Sequence, residues 1–108
     1  MSAIIQELEQ LTNNINQNPK FIENFEKTYQ FSIKDEGVYS VAFSDNCVSY
    51  QEGDTESPAC TIKCSSDNFI KLIKGKLNTT TAFMMGKIKV DGDISSALKL
   101  QSIIQKYQ

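Results

Sequence analysis

Hydrophobic and polar positions change period along the chain, and each change marks an element. Ile4, Ile5, Leu8, Leu11 and Ile15 fall at helical spacing with Gln6, Glu7, Glu9, Gln10 and Asn13 opposite, which predicts an amphipathic helix from Ser2 to about Asn16. Asn18-Pro19 ends it and opens a second short helix, with Phe21, Ile22 and Phe25 as its apolar face, stopping near Lys27. The period then drops to two. Tyr29, Phe31 and Ile33 alternate with Gln30, Ser32 and Lys34, Asp35-Glu36-Gly37 turns the chain, and Tyr39, Val41 and Phe43 repeat the alternation. Ser44-Asp45-Asn46 turns again into residues 47–51, so the three runs predict an antiparallel meander.

Residues 52–58 are acidic and turn-rich, the composition of a solvated loop rather than of a cation site. Beyond them Cys60, Ile62 and Cys64 face one way and Thr61 and Lys63 the other, a fourth strand. Ser65 or Ser66 caps a helix whose apolar face is Phe69, Leu72 and Ile73, with Gly75 placed for the left-handed residue after it. Asn78 caps a short helix over Thr79–Met84. Gly86 and Gly92 bracket a fifth strand in which Ile88 and Val90 share a face, and Asp93 caps a last helix reaching about Lys106. The elements predict an α+β fold.

Composition narrows the function. A chain of 108 residues, 40% of them hydrophobic, makes one domain spanning 1–108, and a net charge of −2 with scattered basic residues carries no nucleic-acid footprint. No apolar run approaches the roughly 20 residues that cross a bilayer, and the first residues lack the pattern of a signal peptide, so a soluble intracellular protein is expected. The first helix carries only Glu7 and Glu9 as side-chain charges; an anionic membrane would repel it, and docking on the domain is the preferred reading. Cys60 and Cys64 stand roughly 13 Å apart along one strand and cannot pair. With Cys47 they are expected as reduced, mostly buried thiols rather than as redox or metal groups. Histidine is absent, which removes Ser-His-Asp and Cys-His catalysis and imidazole-based zinc sites. The carboxylate sets Asp91 with Asp93, and Glu52 with Asp54 and Glu56, lie in turn sequences without a second catalytic group, so no enzyme is expected and no cofactor or metal.

Chemistry of another kind gathers in the C-terminal half. At about 100° per residue, Ile94, Ala97, Leu98, Leu100, Ile103, Ile104 and Tyr107 cover an arc of roughly 220°, about twice what packing on one sheet requires. Something apolar besides the sheet must cover the remainder: another helix, a ligand or a partner chain. Gln101 lies inside that arc and needs a hydrogen-bond partner, from the backbone or from a ligand head group. Phe83-Met84-Met85 is more apolar than one docking face of so short a helix needs, and methionine adapts to irregular apolar shapes. Both core and pocket wall fit the cluster. The alternative to a pocket is an interaction or dimerisation module that uses the apolar face of the last helix.

At Gly75-Lys76-Leu77-Asn78, Ala82-Phe83, residues 86–92 and residues 97–101, the chain resembles the sterol carrier protein type two family, with weaker similarity through residues 59–63, Phe69 and the strand at residues 38–43. The resemblance implies an α/β (α+β) fold: one five-stranded, mostly antiparallel sheet, about five helices covering one face, and an apolar tunnel between. It implies non-enzymatic binding and intracellular transfer of fatty acids, fatty acyl-CoA, sterols and phospholipids by a monomer, with transient membrane contact and no nucleic-acid partner. Carried over by position, the lipid-binding lining would be Leu72, Leu77, Phe83, Met84, Ile88, Leu98, Gln101 and Ile104, with Tyr107 near the mouth. Many eukaryotic relatives end in a Ser-Lys-Leu-type peroxisomal signal, whereas this sequence ends Lys106-Tyr107-Gln108; cytoplasm is the expected compartment and peroxisome the alternative. Relatives thought to transfer lipid by collision have a basic first helix, and this one is acidic.

Overall fold

The computed structural model describes residues 3–108. Helix α1 (Ala3–Gln17) leads through a 3-10 turn (Pro19–Ile22) into strands β1 (Lys27–Ile33), β2 (Gly37–Ser44), β3 (Cys47–Glu52) and β4 (Cys60–Cys64); α2 (Ser66–Ile73), α3 (Thr79–Met84), β5 (Ile88–Gly92) and α4 (Ile94–Gln105) follow. The strands form one sheet in the order β3-β2-β1-β4-β5. Only β1 and β4 run parallel; the other neighbours are antiparallel.

Alternation in the strands sets which face is buried. Tyr29, Phe31, Ile33, Tyr39, Val41, Phe43, Val48, Cys60, Ile62, Cys64 and Ile88 point to the helical side, and their partners in the pleat make a face rich in Ser, Thr, Gln and Lys. The β2–β3 hairpin closes through Asp45 and Asn46, both with positive φ (55° and 61°), the two-residue geometry that asparagine and aspartate tolerate. Aromatic rings tie the layers: Phe31 meets Phe69 of α2 edge-on at 5.1 Å, and Phe25 meets Phe43 at 5.1 Å.

The first helix docks on the domain as preferred, burying Ile4, Leu8, Leu11 and Ile15 against β3 and α2; the expected start at Ser2 lies outside the described residues. Its last turn does more than pack. The Asn16 side-chain amide donates to the Val48 carbonyl and accepts from the Val48 N–H, both at 2.8 Å, and so pairs with edge strand β3 as another strand would.

Two expectations are corrected. The second helix shrinks to a single 3-10 turn, because only Ile22 of that turn is buried and Asn24, at φ 60°, redirects the chain into β1; among the described residues four α-helices remain where about five were expected. Cys47 is exposed on edge strand β3, with its Sγ donating to the Ser44 carbonyl, while Cys60 and Cys64 are buried as anticipated. Burial pushes both buried thiols up to about 11, so they stay neutral and inert at neutral pH.

Candidate binding site

The C-terminal elements are positioned by caps legible in the sequence. Ser65 Oγ accepts from Asn68 N–H, Asn78 Oδ1 from Thr81 N–H at 2.9 Å, and Asp93 Oδ1 from Ser95 N–H at 3.0 Å. Both Ser95 and Ser96 hydroxyls also donate to Asp93, and these bonds hold its carboxyl below the usual carboxylate range. Helices α2 and α3 end alike. Gly75 and Gly86 take positive φ (71° and 76°), and the next N–H reaches back to Lys71 and to Ala82 respectively, closing a turn that a side chain at either glycine would strain. The start of α4 is fixed to the sheet by Tyr29, whose buried hydroxyl donates to the Ser96 carbonyl at 2.8 Å; burial raises that phenol well above its ordinary range.

Helix α4 is wider in apolar surface than the sheet covers. Ala97, Leu100, Ile103 and Ile104 are buried, whereas Ile94 and Leu98 remain 39% and 40% exposed. Across from them α3 buries only Thr79 and Ala82 and leaves Phe83 42% exposed. The two helices meet through Gln101, whose Oε1 accepts the backbone N–H of Thr79, one of the N–H groups a helix start leaves without an internal partner. Gln101 thus finds a backbone partner, one of the two alternatives the sequence left open. Leu98 stands about one turn before that contact on α4, and Phe83 about one turn after it on α3.

Beside this bond lies an anomaly. Thr79 is fully buried, and its Oγ1 has no hydrogen-bond partner. A buried hydroxyl left unpaired costs about 1–3 kcal/mol, and here it sits beside the one side-chain amide of the apolar arc.

The nine residues carried over by position separate into three groups. Leu72, Leu77, Ile88 and Ile104 belong to the contiguous core between sheet and helices. Phe83, Met84 and Leu98 are exposed on α3 and α4, and Gln101, half-buried, joins those helices. Tyr107 stands apart at the C-terminus. Its hydroxyl donates to the Asn18 carbonyl at 2.6 Å and its ring meets Phe21 edge-on at 5.6 Å, on the wall of a polar cleft of about 320 Å³ shared with Glu7, Gln10 and Lys76. Thr79 was missed by sequence reading; its only signal was its place after the Asn78 cap. Among the described residues, no group of His, Cys, Asp or Glu is arranged to hold a metal ion, and no helix is long and apolar enough to cross a membrane.

Comparison with known proteins agrees with this architecture. The family model of the SCP-2 sterol transfer family matches residues 5–105. Sterol carrier protein 2 of Gallus gallus is 29% identical over 89 residues, 78% of this chain but 16% of that protein, so the chain spans about a sixth of the length of that relative. Among solved structures, the sterol carrier protein domain 2 of Helicoverpa armigera superposes with a TM-score of 0.78 at 24% identity, covering 96% of this chain and 87% of the other. Sterol Carrier Protein-2 of Aedes aegypti, solved in complex with palmitate, gives 0.67 at 17% identity and covers 100% of both chains. These two likenesses are likenesses of fold.

Proposed function

Because this chain belongs to the SCP-2 sterol transfer family, we propose that it binds a lipid between the sheet and helices α3 and α4 and carries it without covalent chemistry. The observation that carries the reading is the uncovered apolar surface of Ile94, Leu98 and Phe83 around the Thr79–Gln101 contact with its unpaired hydroxyl. An acyl chain supplies the apolar cover that the surplus face of α4 lacks, and a carboxylate or ester oxygen supplies the acceptor that the Thr79 hydroxyl lacks. The palmitate of the Aedes aegypti structure is a ligand of that chemistry.

In this reading α3 is the moving part. It is six residues long and anchored by two buried side chains, so lifting it exposes little apolar surface and costs little. Leu72, Leu77, Ile88 and Ile104 then form the wall the chain slides against, and Phe83, Met84 and Leu98 close over it, with Gln101 at the polar end and Tyr107 holding the last residues in place. Sequestering a sixteen-carbon chain at about 0.8 kcal/mol per methylene gives a gross gain of roughly 12 kcal/mol. Ordering and immobilisation take back several kcal/mol, which leaves a dissociation constant between about nanomolar and micromolar. Shape and apolar area select loosely, so fatty acids, acyl-CoA, sterols and phospholipids all compete.

The test is titration with a fluorescent fatty acid, followed by displacement with palmitate, a sterol and an acyl-CoA. Saturable uptake of one equivalent that falls with Leu98→Asp supports the site. No uptake, together with a mass that rises with protein concentration, would move the exposed face of α4 to self-association.

A further inference from the structure

The opposite use of lipid chemistry, contact with a bilayer, is written at one end of the sheet. Where β1 and β4 end and β5 begins, a cleft of about 330 Å³ is lined by Lys34, Lys63, Lys87 and Lys89 together with Ser32 and Ser65. Four of the chain's eleven basic residues thus gather on one cleft of a protein whose net charge is −2. Lys63 is paired with Asp91 at 3.0 Å, whereas Lys34, Lys87 and Lys89 make no ion pair among the described residues. The other nearby acids in sequence are Asp35 and Glu36, in the turn after Lys34, and Asp67 in the first turn of α2. None of these lines the cleft. Ser65 is the N-cap of α2, so the positive end of that helix dipole adds to the lysines.

Next to the cleft stands an apolar knuckle. The turn at Gly86, also on the cleft wall, swings the chain from α3 into β5; Met84 and Met85 stand just before that glycine and remain 78% and 64% exposed, and Lys87 follows it. Lysines for phosphates and flexible apolar side chains for the acyl boundary are the two elements that interfacial binding to an anionic bilayer needs. Helix α1 offers neither: its apolar face is buried in the domain, and its side-chain charges are Glu7 and Glu9. We infer that this end of the sheet, Lys34, Lys63, Lys87 and Lys89 with Met84 and Met85 at its rim, is a docking surface for anionic phospholipid membranes. The inference rests on the lipid-carrier reading for its purpose, although its geometry is separate. It places the membrane contact beside α3, the element proposed to move.

Vesicle flotation tests it, using phosphatidylcholine alone and phosphatidylcholine with about 30 mol% phosphatidylserine. The chain should float with the anionic vesicles and stay behind with the neutral ones, and salt should release it. The K87E/K89E double variant should bind at least about tenfold more weakly, and Met85→Ser severalfold more weakly. Both changes are on exposed side chains, and fluorescent fatty-acid uptake should be unchanged in both. Fatty-acid uptake without any preference for anionic vesicles, or K87E/K89E binding at the wild-type level, would overturn the docking surface. So would Met85→Ser binding at the wild-type level together with equally tight binding of soluble inorganic pyrophosphate, which would make the cleft a site for free phosphates. Charge-dependent flotation in a chain that takes up no fatty acid would uphold the surface and reject the carrier reading instead.

Discussion

At the scale of single residues, Thr79 and Asp93 bear the sharpest consequences. Thr79 Oγ1 is buried without a partner, so Thr79→Val, nearly isosteric, removes a penalty from the empty protein and should stabilise it by about 1 kcal/mol in urea unfolding. The same change removes the donor proposed to meet the lipid's polar end, so fatty-acid affinity should fall while stability rises. A hydroxyl with a merely structural role would lower stability and leave affinity alone. Asp93 is a pH-dependent cap. Its carboxyl titrates below the normal value of 3.8 because Ser95 and Ser96 donate to it. The stabilisation is therefore complete above that value and is lost as pH falls through the lower folded one. Asp93→Ala should lower Tm at pH 7, and the gap from wild type should close on acidification below about pH 4.

At the scale of elements, local pattern and non-local contact part company. The strands, caps and glycine stops were legible because each depends on residues a few positions apart: Ser65, Asn78 and Asp93 cap as expected, and Gly75 takes the left-handed conformation expected of it. The excess arc of α4 was legible too, and the structure shows where the excess falls, at Ile94 and Leu98. What was not legible is set by partners distant in the chain. Asn16 and Val48 are 32 residues apart, and no periodicity signals that the end of a helix will cover an edge strand. Asn16→Ala leaves both backbone groups of Val48 to find water or stay unpaired, and should cost about 1–3 kcal/mol in chemical denaturation. Loss of protection of the Val48 amide in hydrogen exchange, with α4 amides unchanged, would locate that cost at the edge of the sheet.

At the scale of the molecule, the fold sorts its surfaces by task. Edge strand β3 is covered by α1, and the opposite edge, β5, lies between the uncovered helices and the lysine cleft. The residues inferred from the family resemblance divide between core and surface, because position in a sequence does not say which side chains of α3 and α4 turn toward the sheet. Lys63 and Lys89 of the cleft lie on β4 and β5, while Lys34 follows the end of β1 and Lys87 precedes β5, and the sheet order brings these chain segments together. A carrier built this way has its proposed cargo site and its proposed membrane contact beside the same short helix, α3.

The most direct measurement is native mass spectrometry of the gently purified chain after incubation with palmitate, with organic extraction of a parallel sample. One lipid per protein, carried by a species whose mass does not change with protein concentration, is the expected result. A bare chain that takes up no palmitate, or lipid-free dimers that grow with concentration, would contradict the carrier.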